Sequence, residues 1–138
     1  MSNFVLDASL ALQWLLEDEA DRQYGLSVLA SLSHNRAFVP PLWFYEVGNA
    51  LVVAHRRKRI SFDQVRGFLD RLKTLPIDSA PQSPSEILKL PLLAQTHVLT
   101  NYDAAYLALS LETGLPIATA DRQLRKAAMA AGAKILEV

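Results

Sequence analysis

The sequence has no cysteine in its 138 residues, which excludes disulfide frameworks, thiolate catalysis and Cys-ligated zinc or iron–sulfur sites. Histidine is scarce too: His34, His55 and His97 are scattered and show no metal-ligand spacing. Neither charge is in excess, since 14 Lys+Arg balance 14 Asp+Glu to a formal net charge of zero. That balance argues against a strongly polybasic nucleic-acid binder but leaves local patches open. Long hydrophobic runs are missing as well. No stretch approaches the roughly 18 uninterrupted apolar residues of a membrane helix, and the richest, Ala50–Ala54, is bounded by Asn49 and the basic run His55–Arg59. The opening MSNFVLDAS carries no basic segment ahead of an apolar one. No secretory signal is expected, and the chain reads as a soluble cytoplasmic protein without a membrane partner. There is no internal repeat and no low-complexity segment, and the length fits a single domain over residues 1–138.

What is present is an alternation of short apolar runs and helical patterns. Strands are expected at Asn3–Leu6, Ala37–Val39, Leu75–Ile77, Pro116–Thr119 and Lys134–Leu136. The first helix is expected over Ala8–Leu16, and a second from the acidic patch Glu17–Asp21 to about Leu32. A third spans Trp43–Lys58, with basic residues at the negative end of its dipole. Ser61-Phe-Asp-Gln64 has capping-box spacing and announces a helix to about Thr74. Ser79–Ser85 reads as a loop, and Glu86–Gln95 as a helix interrupted by Pro91. Thr100 caps a helix to Thr113 that Gly114 stops, and Asp121 opens one to about Ala131 that Gly132 ends. Strands alternating with helices predict an α/β fold, a three-layer α/β/α sandwich around a mostly parallel central sheet.

In such sheets, sites form outside the carboxyl ends of the strands. Asp7 follows the first strand directly, Asp121 lies two residues past the Pro116–Thr119 strand, and Asp103 begins a helix. Glu46 is expected in the first turn of the helix after the second strand. Taken singly, Asp103 and Asp121 could be helix caps, and Glu46 a solvated acid. Asp7 is harder to explain that way, because a carboxylate at the buried end of a central strand costs several kcal/mol unless satisfied. Four carboxylates at one sheet edge repel one another and call for a cation. Oxygen ligands without His or Cys suit Mg²⁺ or Mn²⁺, one ion or two. A metal held there would activate water for attack on a phosphodiester.

The chain resembles the PIN-domain ribonucleases, and among them the VapC toxins of bacterial and archaeal VapBC toxin–antitoxin pairs. The resemblance runs over essentially the whole chain: Val5-Leu-Asp7-Ala-Ser9, Glu46-Val-Gly-Asn49-Ala-Leu51, Tyr102-Asp103-Ala-Ala-Tyr106-Leu-Ala-Leu109 and Ala118-Thr119-Ala-Asp121-Arg-Gln-Leu124, with Ala-Lys134-Ile-Leu136 as a last strand. It implies a PIN-like sandwich and an endoribonuclease with Asp7, Glu46, Asp103 and Asp121 as catalytic and metal-binding acids. The hydroxyl of Thr119 falls beside the fourth acid, and Ser9 and Asn49 are supporting candidates that could hydrogen-bond the carboxylates. It also implies Mg²⁺ or Mn²⁺ as cofactor, RNA as substrate, a homodimer, and a VapB-like antitoxin that blocks the groove. A PIN-family RNA-processing nuclease without a toxin role is the alternative.

Arg122, beside Asp121, is placed to meet a substrate phosphate or an antitoxin carboxylate. The His55–Arg59 run is either a solvated helix end or a phosphate contact, and it lies roughly 20 Å from the acids at 1.5 Å per residue. Trp14, Trp43, Phe44 and Tyr45 are expected in the core or a dimer interface, and Tyr102 and Tyr106 in packing. Two other acid-bearing folds fit less well. An aspartyl phosphatase would have a second Asp two residues after Asp7, where Ser9 stands, and a response-regulator-like module would have a Lys closing a strand, whereas Lys134 opens one.

Overall fold

Phe4-Val-Leu6 is apolar at every position, as a strand covered on both faces must be, and it forms β1 (Phe4–Leu6) with all three side chains fully buried. The computed structural model describes residues 3–17 and 22–138. Three further strands, β2 (Ala37–Val39), β3 (Ile77–Ser79) and β4 (Ile117–Ala118), join β1 in a four-stranded sheet of order β3-β2-β1-β4, every neighbouring pair parallel. The helices are α1 (Ser9–Leu15), α2 (Arg22–Ser31), α3 (Leu42–Arg56), α4 (Phe62–Leu72), α5 (Pro84–His97), α6 (Asn101–Thr113) and α7 (Arg122–Ala130). Parallel strands need crossovers, and helices supply them. The result is the expected α/β/α sandwich, its core built on β1, Val39, Trp43, Leu51, Tyr106, Leu107, Ile117 and Leu124.

Strand order fixes where a site can form. From β1 the chain steps outward to β2 and β3, then returns to pair β4 on the other side of β1. The crevice at such a reversal, outside the carboxyl ends, is where open α/β sheets bind ligands. Register does the rest. Leu6 lies opposite Ala118, so the next residues out of the two strands, Asp7 and Thr119, emerge side by side.

Several boundaries differ from the sequence expectation, each for a local reason. The third strand is shifted to Ile77–Ser79, because Leu75 is still in the turn that ends α4 (its amide reaches the Leu72 carbonyl) and the ladder with β2 begins at Ala37↔Ile77. The helix expected to be interrupted by Pro91 is continuous from Pro84 to His97. Its start is a second capping box, Ser83 with Glu86, followed by Pro84 at the first helical position, where a missing N–H costs nothing. Pro91 sits on an exposed part of α5, where the carbonyl it cannot bond is open to water. The closing strand at Lys134–Leu136 is reduced to one parallel bridge, Ile117↔Ile135. Glu46 is in the second turn of α3, because that helix begins at Leu42. The acidic patch that was to open the second helix lies outside the described residues beyond Glu17. Among the described residues no helix is long and apolar enough to cross a membrane.

Candidate active site

Asp7 is the innermost of the four acids. The sheet places it at the end of β1 with its carboxylate almost fully buried, and two hydroxyls satisfy it: Ser9 Oγ donates to Oδ2 at 2.7 Å and Thr119 Oγ1 donates to the same oxygen at 2.6 Å. Each hydroxyl in turn accepts a backbone amide of the turn after β4, Ser9 from Ala120 at 3.1 Å and Thr119 from Asp121 at 3.0 Å. These four bonds tie the β1–α1 junction to the β4–α7 junction. Burial raises the Asp7 carboxyl above its ordinary range, the two hydroxyls pull it back, and the Asp121 charge raises it again.

Asp121 caps α7, its Oδ1 accepting from Gln123 N at 2.8 Å and Leu124 N at 3.2 Å. Capping and facing the site are therefore not alternatives here: one oxygen serves the helix, and the charge still reaches Asp7 and Asp103. Asp103 is held in the first turn of α6 by the Thr100 cap, whose Oγ1 accepts the Asp103 amide at 3.1 Å. Its carboxyl is pushed up to about 6, first by burial and then by the charges of Asp7, Asp121 and Glu46, against a smaller lowering by the Thr100 hydroxyl. Glu46 reaches across from α3 and accepts a short hydrogen bond at Oε1 from the Tyr106 hydroxyl on α6. Burial raises Glu46 most, the Tyr106 bond lowers it, and Asp7 raises it.

The fold thus brings Asp103 within electrostatic reach of Asp7, Asp121 and Glu46, and Asp7 within reach of Asp121 and Glu46. Among the described residues none of the four is ion-paired to a Lys or Arg. Nor do any three His, Cys, Asp or Glu side chains among those residues stand as a ready-made metal cluster. Carboxylates without a cation have reason to stand apart, because bringing them closer raises their mutual repulsion. The donor set is all oxygen, compressed by neighbouring like charge and unpartnered by base. It fits a hard divalent ion better than any other group.

The remaining candidates lie around this centre. Asn49, one turn beyond Glu46 on α3, is exposed, and no hydrogen bond joins it to the acids. Arg122 opens α7, also exposed and without an ion pair among the described residues. Trp14 and Trp43 are core residues, whereas Phe44 and Tyr45 are exposed on α3. The packing expectation fails for Tyr102 and holds for Tyr106, a core residue whose hydroxyl does more than pack. Tyr102 is 60% exposed, and the fully buried Tyr106 is bonded to a site carboxylate. Its spacing from Asp103, three residues on one helix, was the available signal, since such pairs share a face.

The PIN domain family profile matches residues 4–129. Ribonuclease VapC1 of Mycobacterium tuberculosis is 32% identical over 127 residues, covering 92% of this chain and 92% of its own. Among solved structures, PAE2754 from Pyrobaculum aerophilum superposes with a TM-score of 0.71 at 23% identity, over 91% of this chain and 84% of that one. VapBC2 from Rickettsia felis, bound to a DNA fragment from their promoter, gives a TM-score of 0.63 at 14% identity over 98% of this chain and 97% of that one. The structural likenesses speak to the fold; the family profile spans all four acid-bearing segments.

Proposed function

The chain belongs to the PIN-domain family, and on that premise we propose that it is a metal-dependent endoribonuclease acting as the toxin of a toxin–antitoxin pair. The observation that carries the chemistry is the convergence of Asp7, Glu46, Asp103 and Asp121, four acids without a basic partner among the described residues, at the sheet's reversal point. The relative with the matching sequence is named a ribonuclease, which makes RNA the substrate class. Asp7, Glu46, Asp103 and Asp121 would hold Mg²⁺ or Mn²⁺, which when bound supplies an activated water and offsets charge on the phosphate.

The chain's own residues divide the remaining work. Ser9 and Thr119 occupy Oδ2 of Asp7 and so fix the plane of its carboxylate. Asp121 and Asp103 are set by helix caps, so that both charges are placed by backbone rather than by flexible arms. Arg122, exposed next to Asp121, is positioned to bind a phosphate of the RNA strand. Asn49, on the same helix as Glu46, is available to hydrogen-bond water at the site's rim. A VapB-like antitoxin is assigned to this chain on its membership of the family and its sequence likeness to Ribonuclease VapC1, with a homodimer as its working form. Residues 1–138 make one PIN domain.

Cleavage of structured RNAs by the purified protein tests this reading, with Mg²⁺, Mn²⁺ or EDTA and with Asp7→Asn and Asp103→Asn. Either substitution is expected to lower the rate by roughly 100-fold or more, and EDTA to abolish it. Cleavage that survives EDTA, or survives in both variants, overturns the metal-nuclease assignment. Growth arrest on expression, lost in the same variants, separates a toxin from an RNA-processing enzyme.

A further inference from the structure

Tyr106 is fully buried in the middle of α6. A phenylalanine would fill the same volume there without burying a hydroxyl, and a buried hydroxyl costs free energy unless it is bonded. Here the hydroxyl donates to Glu46 Oε1 at 2.5 Å, joining residues 60 apart in sequence. The Ala8 amide, next to Asp7, also faces the phenolic oxygen. The bond therefore sits where α3, α6 and the end of β1 meet, close enough to feel the charges of Glu46 and Asp7.

Glu46 needs such an anchor more than the other three acids do. Asp7 is fixed by two hydroxyls, Asp121 by its own helix cap, and Asp103 by the first turn of α6. Glu46 has a longer side chain with more rotamer freedom to lose, its neighbours are like charges that push it outward, and Tyr106 is the one hydrogen-bond donor to its carboxylate among the described residues. With Oε1 engaged by the phenol, Oε2 is the oxygen left to the site. Asp103 and Tyr106, three residues apart on one face of α6, thus bring a ligand and the anchor of a second ligand on a single rigid element.

We infer that Tyr106 is a positioning residue: its hydroxyl holds Glu46 in a single orientation and presents one carboxylate oxygen to the divalent ion. The inference rests on the metal-dependent reading of this site. Removing the hydroxyl lets Glu46 swing away from the other acids, so the loss appears in metal affinity before any RNA is added.

Mn²⁺ binding to the full-length protein without RNA, read from the free-Mn²⁺ paramagnetic resonance signal, is the test. The proteins are wild type, Tyr106→Phe, Glu46→Ala, the double variant, and Ser110→Ala. The last removes another buried hydroxyl of α6, bonded to the Leu115 carbonyl away from the acids. Tyr106→Phe is expected to weaken Mn²⁺ binding roughly ten-fold, as loss of a partner behind a metal ligand does, while Ser110→Ala binds like wild type. In the Glu46→Ala background, Tyr106→Phe is expected to cost nothing more. Unchanged binding in Tyr106→Phe, or an equal further loss in the double variant, overturns the inference while leaving the metal site standing. No saturable uptake by wild type overturns both. If Tyr106→Phe does not fold, as judged by thermal unfolding in EDTA, Glu46→Asp replaces it: it keeps the charge but withdraws it one methylene from the phenol, and wild-type affinity there overturns the inference equally.

Discussion

At Asp103 the cost of gathering acids in a partly buried site is plainest, because burial first and then three other carboxylates hold its proton until about pH 6, against an ordinary value of 3.8. Between those two values the folded protein binds a proton that the unfolded chain has already released. Stability of the metal-free protein therefore falls as pH rises through that window, and the penalty is complete above it. Burial raises Asp7 and Glu46 in the same direction, so they steepen the same descent. Asp103→Asn removes one charge from the set. It is expected to raise the melting temperature in EDTA at neutral pH and to flatten the stability profile between about pH 4 and about pH 6, even as it abolishes cleavage. A variant that melts no higher than wild type at neutral pH counts against the crowding. Asp7, Asp103 and Asp121 were legible in the sequence because each falls where a strand ends or a helix begins, places that one-dimensional patterns mark; Glu46 was placed on the right helix but one turn too early. Tyr106 was legible only by face: its spacing from Asp103 puts both on one side of α6, but nothing in that spacing shows that its hydroxyl meets a carboxylate 60 residues away.

The elements show a similar division between what is local and what is not. Capping boxes at Ser61 and Thr100's cap of α6 are local chemistry and form where the sequence puts them. β3 and the last strand are decided by pairing partners far off in the chain, and there the boundaries moved or shrank to a bridge. Two junctions between elements carry backbone strain, at Lys58 after α3 (φ 61) and at Val98 after α5, and the second leads to the site. Val98 ends α5 in the left-handed region at φ 55, a conformation that glycine adopts freely and a β-branched residue resists. It is pinned there by Gln123 of α7, which donates to the Val98 carbonyl, and it leads directly to Thr100, the cap that sets Asp103. Val98→Gly relieves the side-chain clash and is expected to stabilise the protein by about 1 kcal/mol in denaturant unfolding. Destabilisation instead would mean that the exposed valine side chain contributes packing beyond what its surroundings indicate. The residue is exposed, so the backbone effect decides the sign.

For the molecule as a whole, a formal charge of zero conceals an uneven distribution. Acids concentrated at one end of the sheet leave bases in excess elsewhere, including the Arg56–Arg59 end of α3, so a divalent ion at the acids would turn the whole protein net positive toward a polyanion. The same uneven layout runs along the chain as well as through space. β1 precedes the other described elements and lies inside the sheet, yet its neighbour β4 and the hydroxyl that satisfies Asp7 belong to residues 117–119, and Asp121 follows them. On a ribosome, then, the nascent chain carries Asp7 and Glu46 long before Asp121 emerges, with the central strand still bare along one side. A chain ended at Leu115 is expected to remain unfolded and to take up no Mn²⁺, and saturable uptake by that fragment would refute the expectation. The proposed nuclease site therefore stays incomplete until residues 117–121 have been made and paired with β1.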